Sequence, residues 1–580
     1  MESVQQCAAE AQDRQSAGRV RWFALAVFLV AVCIRMLYLL ESTRNPTFYV
    51  PIVDSSGYDL IARNLVSGSS MSEKFFWQPP LYPLFLSLIY LLSNSSILAA
   101  KLVQLIVGCF TAMLAYRLGA RLFGAGAGLA AGIITAVYMP LVFLEGELLA
   151  AGWAAFWSVS LVLLFLKVTD KPTAPSCIVL GSCGALSITT RPEFLPFFAA
   201  GCLWLAVRAL REKTFFSSFA PKFAMVFAGF LLPAIPIAMA GYRATGRVTI
   251  LPVAGGINFY IGNNPNYSQT IVIRPGAEWR KLFELPLKEG VRDLRKQDEW
   301  FLKKTKQYII HHPFSFAAGL CRKTLQFLSS REIPRNLDVY LFRKWSPLLT
   351  VGVWKTGRFG FPFGLLLPLA VCGVIYCCRK VPAPVWLYLF FYPAAVILVF
   401  VTSRYRTPAV PVIAVLAGGG CIAIKTAIES KQWRQLLAVG AVCLACAAIA
   451  MPPTAPEETL NYEPELYYGL GQSFEKQGRT EEAIAAYSKA ISLKPDYLEA
   501  HSFLGNLYFR LDRLDLAEKH YRRAVEAAPS DAIAISNLAL CLKKQGRIDE
   551  AIKYYQMAIL VDPQYVPALQ ALREASAEKR

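Results

Sequence analysis

Several functional patterns are missing from this chain of 580 residues. Histidine occurs only four times, and neither HExxH nor a phosphate-binding Gly-rich loop is present, so a metalloprotease or nucleotide-driven transporter is not supported. The 14 cysteines include one Cys-x-x-Cys, formed by Cys443 and Cys446, but no partner motif accompanies it; most cysteines lie in apolar runs, where free cysteine behaves as a small hydrophobic residue. We therefore predict no metal ligands and no cofactor, and leave the requirement for a divalent metal open.

Charged residues are also scarce. Asp, Glu, Lys and Arg make up 17% of the chain, against about 25% in soluble domains, while apolar residues make up 55%. This composition excludes a disordered chain and a single soluble domain. The net charge of +20 lies entirely in residues 1–463, because residues 464–580 contain 16 basic and 16 acidic residues. Basic charge between apolar runs favours a membrane protein with basic cytoplasmic loops over a nucleic-acid-binding protein.

Long apolar runs predict membrane-spanning helices, since a bilayer core requires about 20 apolar residues per helix. Eleven segments meet this criterion: 20–40, 96–117, 126–144, 148–167, 174–190, 194–211, 222–243, 359–378, 383–402, 408–425 and 434–452. The apolar stretch 79–92 is shorter, and we predict an interfacial helix there. The expected fold class is all-α, with a polytopic membrane helix bundle of about eleven spans.

Lys and Arg in the short loops predict the orientation of these spans. They place the N-terminus in the cytoplasm, and residues 41–95 and 244–358 become a mixed extracytoplasmic loop region. An odd number of spans puts the C-terminal domain on the same outer side. We predict an integral membrane protein of the bacterial inner membrane, with its C-terminal domain in the periplasm.

A repeat with a period of 34 residues follows the membrane domain (1–451) and a linker (452–463). The repeated blocks are 464–497, 498–531 and 532–565, and each has small residues, an aromatic residue and a late proline at matching positions. This pattern is typical of tetratricopeptide helix pairs, and residues 566–580 are predicted to form a capping helix. Such an α-solenoid either binds a protein partner in its groove or acts as a spacer or oligomerisation module, and both alternatives remain open.

The first outer loop contains polar residues that would not be needed if the preceding span served only as a membrane anchor. Asp54 precedes Tyr58 by four residues, Asp59 follows, and the Pro-rich segment 77–83 comes next. On composition alone, simple solvation is the favoured interpretation of Asp54. The arrangement nevertheless resembles the first outer loop of polytopic C-type (GT-C-like) glycosyltransferases, the protein O-mannosyltransferase and lipid A aminoarabinose transferase superfamily. Many members have a second adjacent carboxylate where this chain has Ser55, which argues against a metal site at that position.

Further motifs occur in the order that this superfamily shows. Glu145-Gly-Glu147 ends the third span, Arg191 closes the fifth, residues 255–265 open the large outer loop, and residues 403–408 precede the tenth span. The resemblance implies a substrate-binding set formed by Tyr58, Asp59, Glu145, Glu147, Asn258, Tyr260, Asn263 and Tyr405.

The resemblance implies a polyprenyl-phosphate sugar as donor and a hydroxyl of a protein or an envelope glycan as acceptor. Asp54 is the candidate catalytic base, because a carboxylate within hydrogen-bond reach can accept the acceptor's proton. Arginine suits the phosphate, since its planar group can bind two oxygens. The candidate donor phosphate-binding residues are Arg404, Arg406, Lys74 and Arg191. One-step displacement predicts inversion at the anomeric carbon.

Two other functions stay open at the level of sequence. One is a ligase or polymerase that joins lipid-linked oligosaccharides to an envelope acceptor, although the early loop with Asp54 argues against it. The other is a non-catalytic membrane-anchored tetratricopeptide scaffold, for which eleven spans are excessive. The leading prediction is a membrane glycosyltransferase whose repeats bind a protein partner.

Overall fold

The computed structural model describes residues 2–69, 73–212, 220–274, 276–451 and 455–578; at positions 2–20, 73, 74, 277, 294 and 295 it describes the backbone only. Helices form nearly all regular structure in these ranges. The strands found there are β1 (Trp354–Thr356) and β2 (Phe359–Phe361), an antiparallel pair in which Lys355 lies opposite Gly360. The predicted all-α class is confirmed, and this hairpin is the non-helical element of the large loop.

The chain divides into two compact units. The first comprises Met1–Phe48, Gly57–Ile273 and Phe283–Leu460, and the second comprises Tyr49–Ser56, Arg274–Leu282 and Asn461–Arg580. Up to residue 245 the helices are α1 (Glu2–Ser42), α2 (Val53–Val66), α3 (Leu81–Ser93), α4 (Ile97–Phe123), α5 (Ala125–Val137), α6 (Met139–Gly146), α7 (Ala151–Asp170), α8 (Ala174–Thr190), α9 (Phe194–Arg211) and α10 (Ala220–Thr245).

The large loop and the late spans are also helical. The loop contains α11 (Gly255–Gly262), α12 (Tyr267–Thr270), α13 (Ala277–Phe283), α14 (Leu285–Lys288), α15 (Leu294–His311), α16 (Pro313–Leu328), α17 (Val339–Phe342) and α18 (Pro347–Gly352). The later helices of this region are α19 (Phe363–Cys377), α20 (Ala383–Val399), α21 (Ser403–Arg406), α22 (Val410–Glu429) and α23 (Trp433–Ala450).

All eleven predicted spans coincide with helices. Among the described residues, eight helices are long and apolar enough to cross a bilayer, and the bent pair α5 and α6, with an angle of 49° between them, supplies a ninth. The remaining two predicted spans correspond to the shorter apolar helices α8 and α20. The helical bundle is thus confirmed, while its orientation in the membrane stays a prediction.

Small residues allow the spans to pack closely. A Cβ atom on Gly373 of α19 would overlap the carbonyl oxygen of Leu416 in α22, and one on Gly420 of α22 would overlap that of Leu369 in α19. Because lipid tails are as apolar as the side chains, close packing of backbones is a main source of helix association in a bilayer. Glycine therefore permits the tight α19–α22 contact.

The segment 79–92, predicted to be interfacial, forms α3. This helix has 13 residues and ends at Ser93, and the next residue, Asn94, adopts a left-handed conformation with φ of 52°. At 1.5 Å per residue it is roughly 20 Å long, shorter than a bilayer core of about 30 Å. Its length is therefore consistent with the predicted surface position.

The second unit contains the repeats. Three helix pairs fall inside the predicted blocks, and a seventh helix follows: α24 (Glu463–Lys476), α25 (Thr480–Leu493), α26 (Leu498–Arg510), α27 (Leu514–Ala527), α28 (Ala532–Lys544), α29 (Ile548–Val561) and α30 (Val566–Glu578). Gly471 and Gly505 lie against the rings of Tyr487 and Tyr521, so that small and aromatic residues interlock as the repeat pattern predicts.

Candidate functional site

Asp54 lies in the first turn of α2, one turn before Tyr58. The preceding residue, Val53, has φ of 50°, a left-handed conformation that is strained for a β-branched residue. The Asp54 side chain is half-buried and Tyr58 is buried. Its place in the first turn of α2 puts the carboxylate near the positive end of the helix dipole.

A chain of hydrogen bonds connects the aromatic residues after this turn to the Glu145-Gly-Glu147 segment. Tyr58 packs edge-on against Tyr82, with ring centroids 4.7 Å apart. The Tyr82 hydroxyl donates to Oε1 of Gln104 at 2.6 Å. The Gln104 amide in turn donates to the carbonyl oxygens of Glu145 and Glu147, at 2.9 and 2.8 Å. Gln104, which the sequence analysis did not single out, therefore orders this part of the first unit.

The two glutamates of this segment have different surroundings. Glu145 is fully buried in an ion pair with Arg35, with Nε to Oε2 at 2.8 Å. This differs from the expected substrate-facing carboxylate, because both carboxylate oxygens of Glu145 accept hydrogen bonds from the Arg35 guanidinium. Arg35 is an arginine within an apolar run, which signals a specific partner, yet the sequence analysis passed over it.

Glu147 lies between α6 and α7 and is 4% exposed. Burial raises the pKa of Glu147, and the positive charge of Lys101 opposes that shift. The Lys101 ammonium itself lies 4.2 Å from the centre of the Phe48 ring. Glu147 therefore stays a candidate polar group of the site.

Asp59 forms an ion pair with Arg63 one turn later in α2, at 2.9 Å, and accepts a hydrogen bond from the Tyr90 hydroxyl. These contacts occupy its carboxylate in the structure. Its predicted part in substrate binding is untested, and the geometry favours a role in joining α2 to α3.

Arg191 and Arg404 lie around one aromatic ring. The Arg191 guanidinium carbon is 4.5 Å, and that of Arg404 is 5.1 Å, from the centre of the Tyr405 ring. Arg191 is 7% exposed, and its Nε atom has no hydrogen-bond partner among the described residues. These three predicted residues thus come together, Arg404 and Tyr405 from α21 and Arg191 from the end of α8. We call the two arginines, which share the Tyr405 ring, the cation pair.

Arg406 has a different environment from its two neighbours. It is 2% exposed and pairs with Glu332 at 2.9 Å, while its guanidinium also donates to the carbonyl oxygens of Ser329 and Arg331. The hydroxyl of Tyr138 donates to the other oxygen of Glu332 at 2.9 Å. This guanidinium is committed to protein groups, which differs from the expected phosphate contact, so we leave Arg406 out of the proposed donor site. Glu332 carried no motif that sequence reasoning recognised.

The predicted residues of the large-loop motif lie in and after α11. The start of α11 is held by Asp298, whose carboxylate accepts a hydrogen bond from the backbone N–H of Gly256 at 2.7 Å. Asn258 donates to the carbonyl oxygen of Ala254 at 2.9 Å, and Tyr260 packs against Phe301 with ring centroids 5.3 Å apart. These contacts give both residues local structural roles.

Asn263 follows the end of α11. Its side chain donates to the carbonyl oxygen of Leu398 and accepts from the Lys323 ammonium, at 2.9 and 2.8 Å. It is 4% exposed. The contacts of Asn263 therefore tie α11 to the end of α20, and its predicted substrate contact stays untested.

Two predictions remain, the phosphate-binding role of Lys74 and the metal requirement. Lys74 belongs to the 3-10 helix Glu73–Trp77, and its side chain lies outside the described residues. Within the described ranges, no three His, Cys, Asp or Glu side chains come together as a metal site. The requirement for a divalent metal therefore stays open, as it is at the level of sequence.

Family models match two stretches of the chain. Residues 77–239 match the family described as dolichyl-phosphate-mannose-protein mannosyltransferase. Residues 458–497, 468–532 and 504–565 match the tetratricopeptide repeat family. No curated protein matches the chain. A segment that matches the mannosyltransferase family thus precedes a segment that matches the tetratricopeptide repeat family, as the resemblance implied.

Solved structures with similarity to the chain include an oligosaccharyltransferase and a tetratricopeptide domain. The oligosaccharyltransferase AglB from Archaeoglobus fulgidus, in complex with an inhibitory peptide and a dolichol-phosphate, is 14% identical with a TM-score of 0.40. The match covers 80% of this chain and 59% of AglB, so the chain spans about six tenths of its length. The first tetratricopeptide domain of Spaghetti (RPAP3), bound to an HSP90 peptide, is 26% identical with a TM-score of 0.20, covering 20% of this chain and 92% of its own.

Proposed function

We propose that this chain is an integral membrane glycosyltransferase that moves a sugar from a polyprenyl-phosphate donor to a hydroxyl group, most simply of a protein, on the extracytoplasmic face. The family match of residues 77–239 supports the reaction class. The cation pair supports the donor class, and it is the observation on which the proposal chiefly depends. The bundle of apolar helices suits a donor whose tail remains in the bilayer.

The cation pair fits a phosphate for electrostatic reasons. Two guanidinium groups around one ring place several N–H donors near each other, and such donors match the oxygens of a phosphate. The Tyr405 ring face stabilises both cations before the anion arrives. A phosphate in a bidentate contact with arginine gains charge-assisted hydrogen bonds. The buried Nε of Arg191, which lacks a partner among the described residues, offers one such donor.

The transfer itself requires one bond to form as another breaks. In the proposed step the acceptor oxygen attacks the anomeric carbon, its proton passes to the Asp54 carboxylate, and the carbon–oxygen bond to phosphate breaks. The polyprenyl phosphate departs with the bonding electron pair, and its added charge is stabilised by the arginines. Displacement in one step inverts the configuration at the anomeric carbon, and no covalent sugar–enzyme intermediate forms.

The proposed side of the membrane follows from the loop charges. With the N-terminus in the cytoplasm, the basic short loops lie inside, and Asp54, Arg191 and Arg404 lie outside. Arginines on the outer side depart from the trend of the short loops, which favours a specific role for them. The same orientation places the repeats outside, where they would meet a secreted acceptor protein.

The first test is sugar transfer by the purified full-length protein, with a panel of polyprenyl-phosphate sugars and membrane extract as acceptor. We expect wild type to transfer one of these sugars and Asp54→Asn to lose at least 100-fold in rate, within the about 10²–10⁴-fold that general base catalysis contributes. Asp170→Asn, at an exposed ion pair with Arg121, is the matched control and should retain activity. Equal rates for wild type and Asp54→Asn would remove Asp54 as the base.

The product distinguishes the alternatives. A single sugar on protein supports the proposal, whereas joined lipid-linked oligosaccharides would support the ligase or polymerase. No transfer from any donor, with both proteins folded, would contradict the proposed reaction and favour the scaffold.

A further inference from the structure

The segment Tyr49–Ser56, which carries Asp54, belongs to the same compact unit as the repeats. We call it the Asp54 segment. The hydroxyl of Ser473, in the first repeat helix α24, donates a hydrogen bond of 2.7 Å to the carbonyl oxygen of Pro51. The two residues are 422 positions apart in the chain, and this contact is buried. The first repeat therefore contacts the chain three residues before the candidate base.

A second contact lies one helical turn away on the same face of α24. Gly469 faces Ile52, and a Cβ atom on Gly469 would be 3.2 Å from the Cβ of Ile52. Ile52 is 3% exposed. Because Gly469 and Ser473 are spaced i and i+4, they present one surface, and that surface combines a close packing site with a hydrogen-bond donor.

Pro51 and Ile52, which contact α24, directly precede the strained residue Val53. Val53 adopts its left-handed conformation between Ile52 and Asp54. A non-glycine residue in this region is strained and persists only where surrounding contacts over-determine its conformation. The contacts of Pro51 and Ile52 with α24 are of that kind, because they anchor the backbone on the N-terminal side of Val53, while α2 continues on the other side.

The repeats contact the large loop in a similar way. The segment Arg274–Leu282 is the third part of the second unit. The Arg274 guanidinium carbon lies 4.1 Å from the centre of the Tyr462 ring, and Arg280 pairs with Asp531 at 3.5 Å. The repeats thus contact two loop segments of their own chain, as a structural element of the enzyme would.

From these contacts we infer that the first tetratricopeptide repeat positions the candidate base. Ser473 and Gly469 are positioning residues: they hold Pro51 and Ile52, keep Val53 in its left-handed conformation, and so set the position of Asp54 in the first turn of α2. The inference rests on the proposed function, since it concerns the proton acceptor of that reaction. It gives the repeats a part in the transfer step beyond the recruitment of a partner protein.

The test uses the full-length protein with Ser473→Ala and Gly469→Leu. Ser492→Ala is the matched serine control, because its hydroxyl bonds only within its own exposed helix, to Lys489 at 2.8 Å. Gly440→Leu is the matched glycine control, because a Cβ there meets no atom within 4 Å. Ser473→Thr keeps the hydroxyl and should restore the wild-type rate.

Two measurements are made on each variant. We expect kcat to fall about 10-fold to 100-fold in Ser473→Ala and Gly469→Leu, the order that a misplaced catalytic group costs, while the KM for the donor stays within about 2-fold because no donor contact is lost. Amide hydrogen exchange should become faster in residues 49–56 and remain unchanged in residues 532–561. Both controls should match wild type in rate and in exchange.

The outcomes separate this inference from the proposed function. Faster exchange with an unchanged kcat would overturn the positioning role, and unchanged exchange would overturn the contact itself. A fall in kcat with faster exchange throughout the repeats would mean general destabilisation and would also overturn the inference. If wild type transfers no sugar, the proposed function fails and the catalytic role with it, while hydrogen exchange still decides whether α24 holds the segment.

Discussion

The carboxylate of Glu145 and the guanidinium of Arg35 form a two-point ion pair, at 2.8 and 3.1 Å, with both side chains almost completely buried. Gly108 makes room for it, since a Cβ there would overlap the carboxylate. The ion pair joins α1 to the end of α6. It accounts for a charged residue in each of two otherwise apolar segments.

Removal of one partner of the Arg35–Glu145 ion pair should destabilise the protein strongly. A single buried charge without its partner costs about 3–5 kcal/mol, so Glu145→Gln and Arg35→Met should each lower the free energy of unfolding by that order. The double variant should lose less than the sum of the two. Thermal unfolding in detergent measures the effect, and Asp170→Asn at the exposed Arg121 pair should cost only about 0–1 kcal/mol. Additive losses would contradict a direct ion pair.

Changes in the cation pair should weaken donor binding before they affect the fold. Hydrogen bonds to charged groups contribute about 1.5–3 kcal/mol, which corresponds to a rise of roughly 10-fold to 100-fold in the KM for the donor in Arg404→Gln or Arg191→Gln. Tyr405→Leu should show a smaller rise, because it removes only the ring face. Steady-state kinetics over a range of donor concentrations test this. A KM equal to that of wild type in both arginine variants would contradict a phosphate site there.

Burial of the Lys323 side chain leads us to predict that the stability of the protein depends on pH. Its ammonium donates to Asn263 and to the carbonyl oxygens of Gly262 and Val399, at 2.8, 3.3 and 3.1 Å. Burial lowers the pKa of Lys323 from its usual 10.5 to about 7. Between these values the unfolded chain binds more protons at this position than the folded chain, so its contribution to stability rises with pH.

Lys323→Met should abolish this pH dependence and lower stability at high pH by about 1–3 kcal/mol, because buried acceptors lose their donor. The measurement is thermal unfolding from pH 7 to pH 10, for wild type and variant. Lys303→Met, on an exposed position of α15, is the control. Parallel curves for wild type and Lys323→Met would show that this lysine has an ordinary pKa.

The second repeat contains a histidine pair formed by the buried His501 and the half-buried His520. Nδ1 of His501 lies 3.0 Å from Nδ1 of His520, and Nε2 of His501 lies 3.0 Å from the carbonyl oxygen of Pro495. Since Nε2 donates to that carbonyl, the neutral His501 accepts a hydrogen bond from His520 through Nδ1. Burial, together with the neighbouring His501 and Lys519, lowers the pKa of His520 from 6.5 to about 4.

The stability of this repeat should therefore fall as the pH falls. The contribution of His520 to stability is complete above about pH 6.5. It is lost progressively as the pH falls to about 4, because over this interval the unfolded chain binds more protons at His520 than the folded chain does. Hydrogen exchange of residues 498–527 in the full chain should accelerate between pH 6.5 and 4.5, after correction for intrinsic exchange rates. His520→Phe should reduce this acceleration, and equal acceleration in both proteins would contradict the assignment.

Sequence patterns predicted most of the fold. The apolar runs matched eleven helical regions and the period of 34 residues matched three helix pairs, because hydrophobic length and repeat spacing are properties of local sequence. The sequence also selected Arg191, Arg404 and Tyr405, although it did not show that they meet. It could not assign partners, since Arg35 with Glu145 and Glu332 with Arg406 join residues 110 and 74 positions apart.

The sequence by itself thus determined that this protein is a membrane helix bundle with tetratricopeptide repeats, and it indicated where polar residues interrupt the apolar pattern. Tertiary structure alone decided which of those residues are committed to buried ion pairs and which surround the Tyr405 ring. It also decided that Ser473 contacts Pro51, 422 residues away. The physical reason is that hydrophobic periodicity acts over one or two helical turns, whereas the pairing of charges and hydrogen-bonding groups depends on which helices pack together.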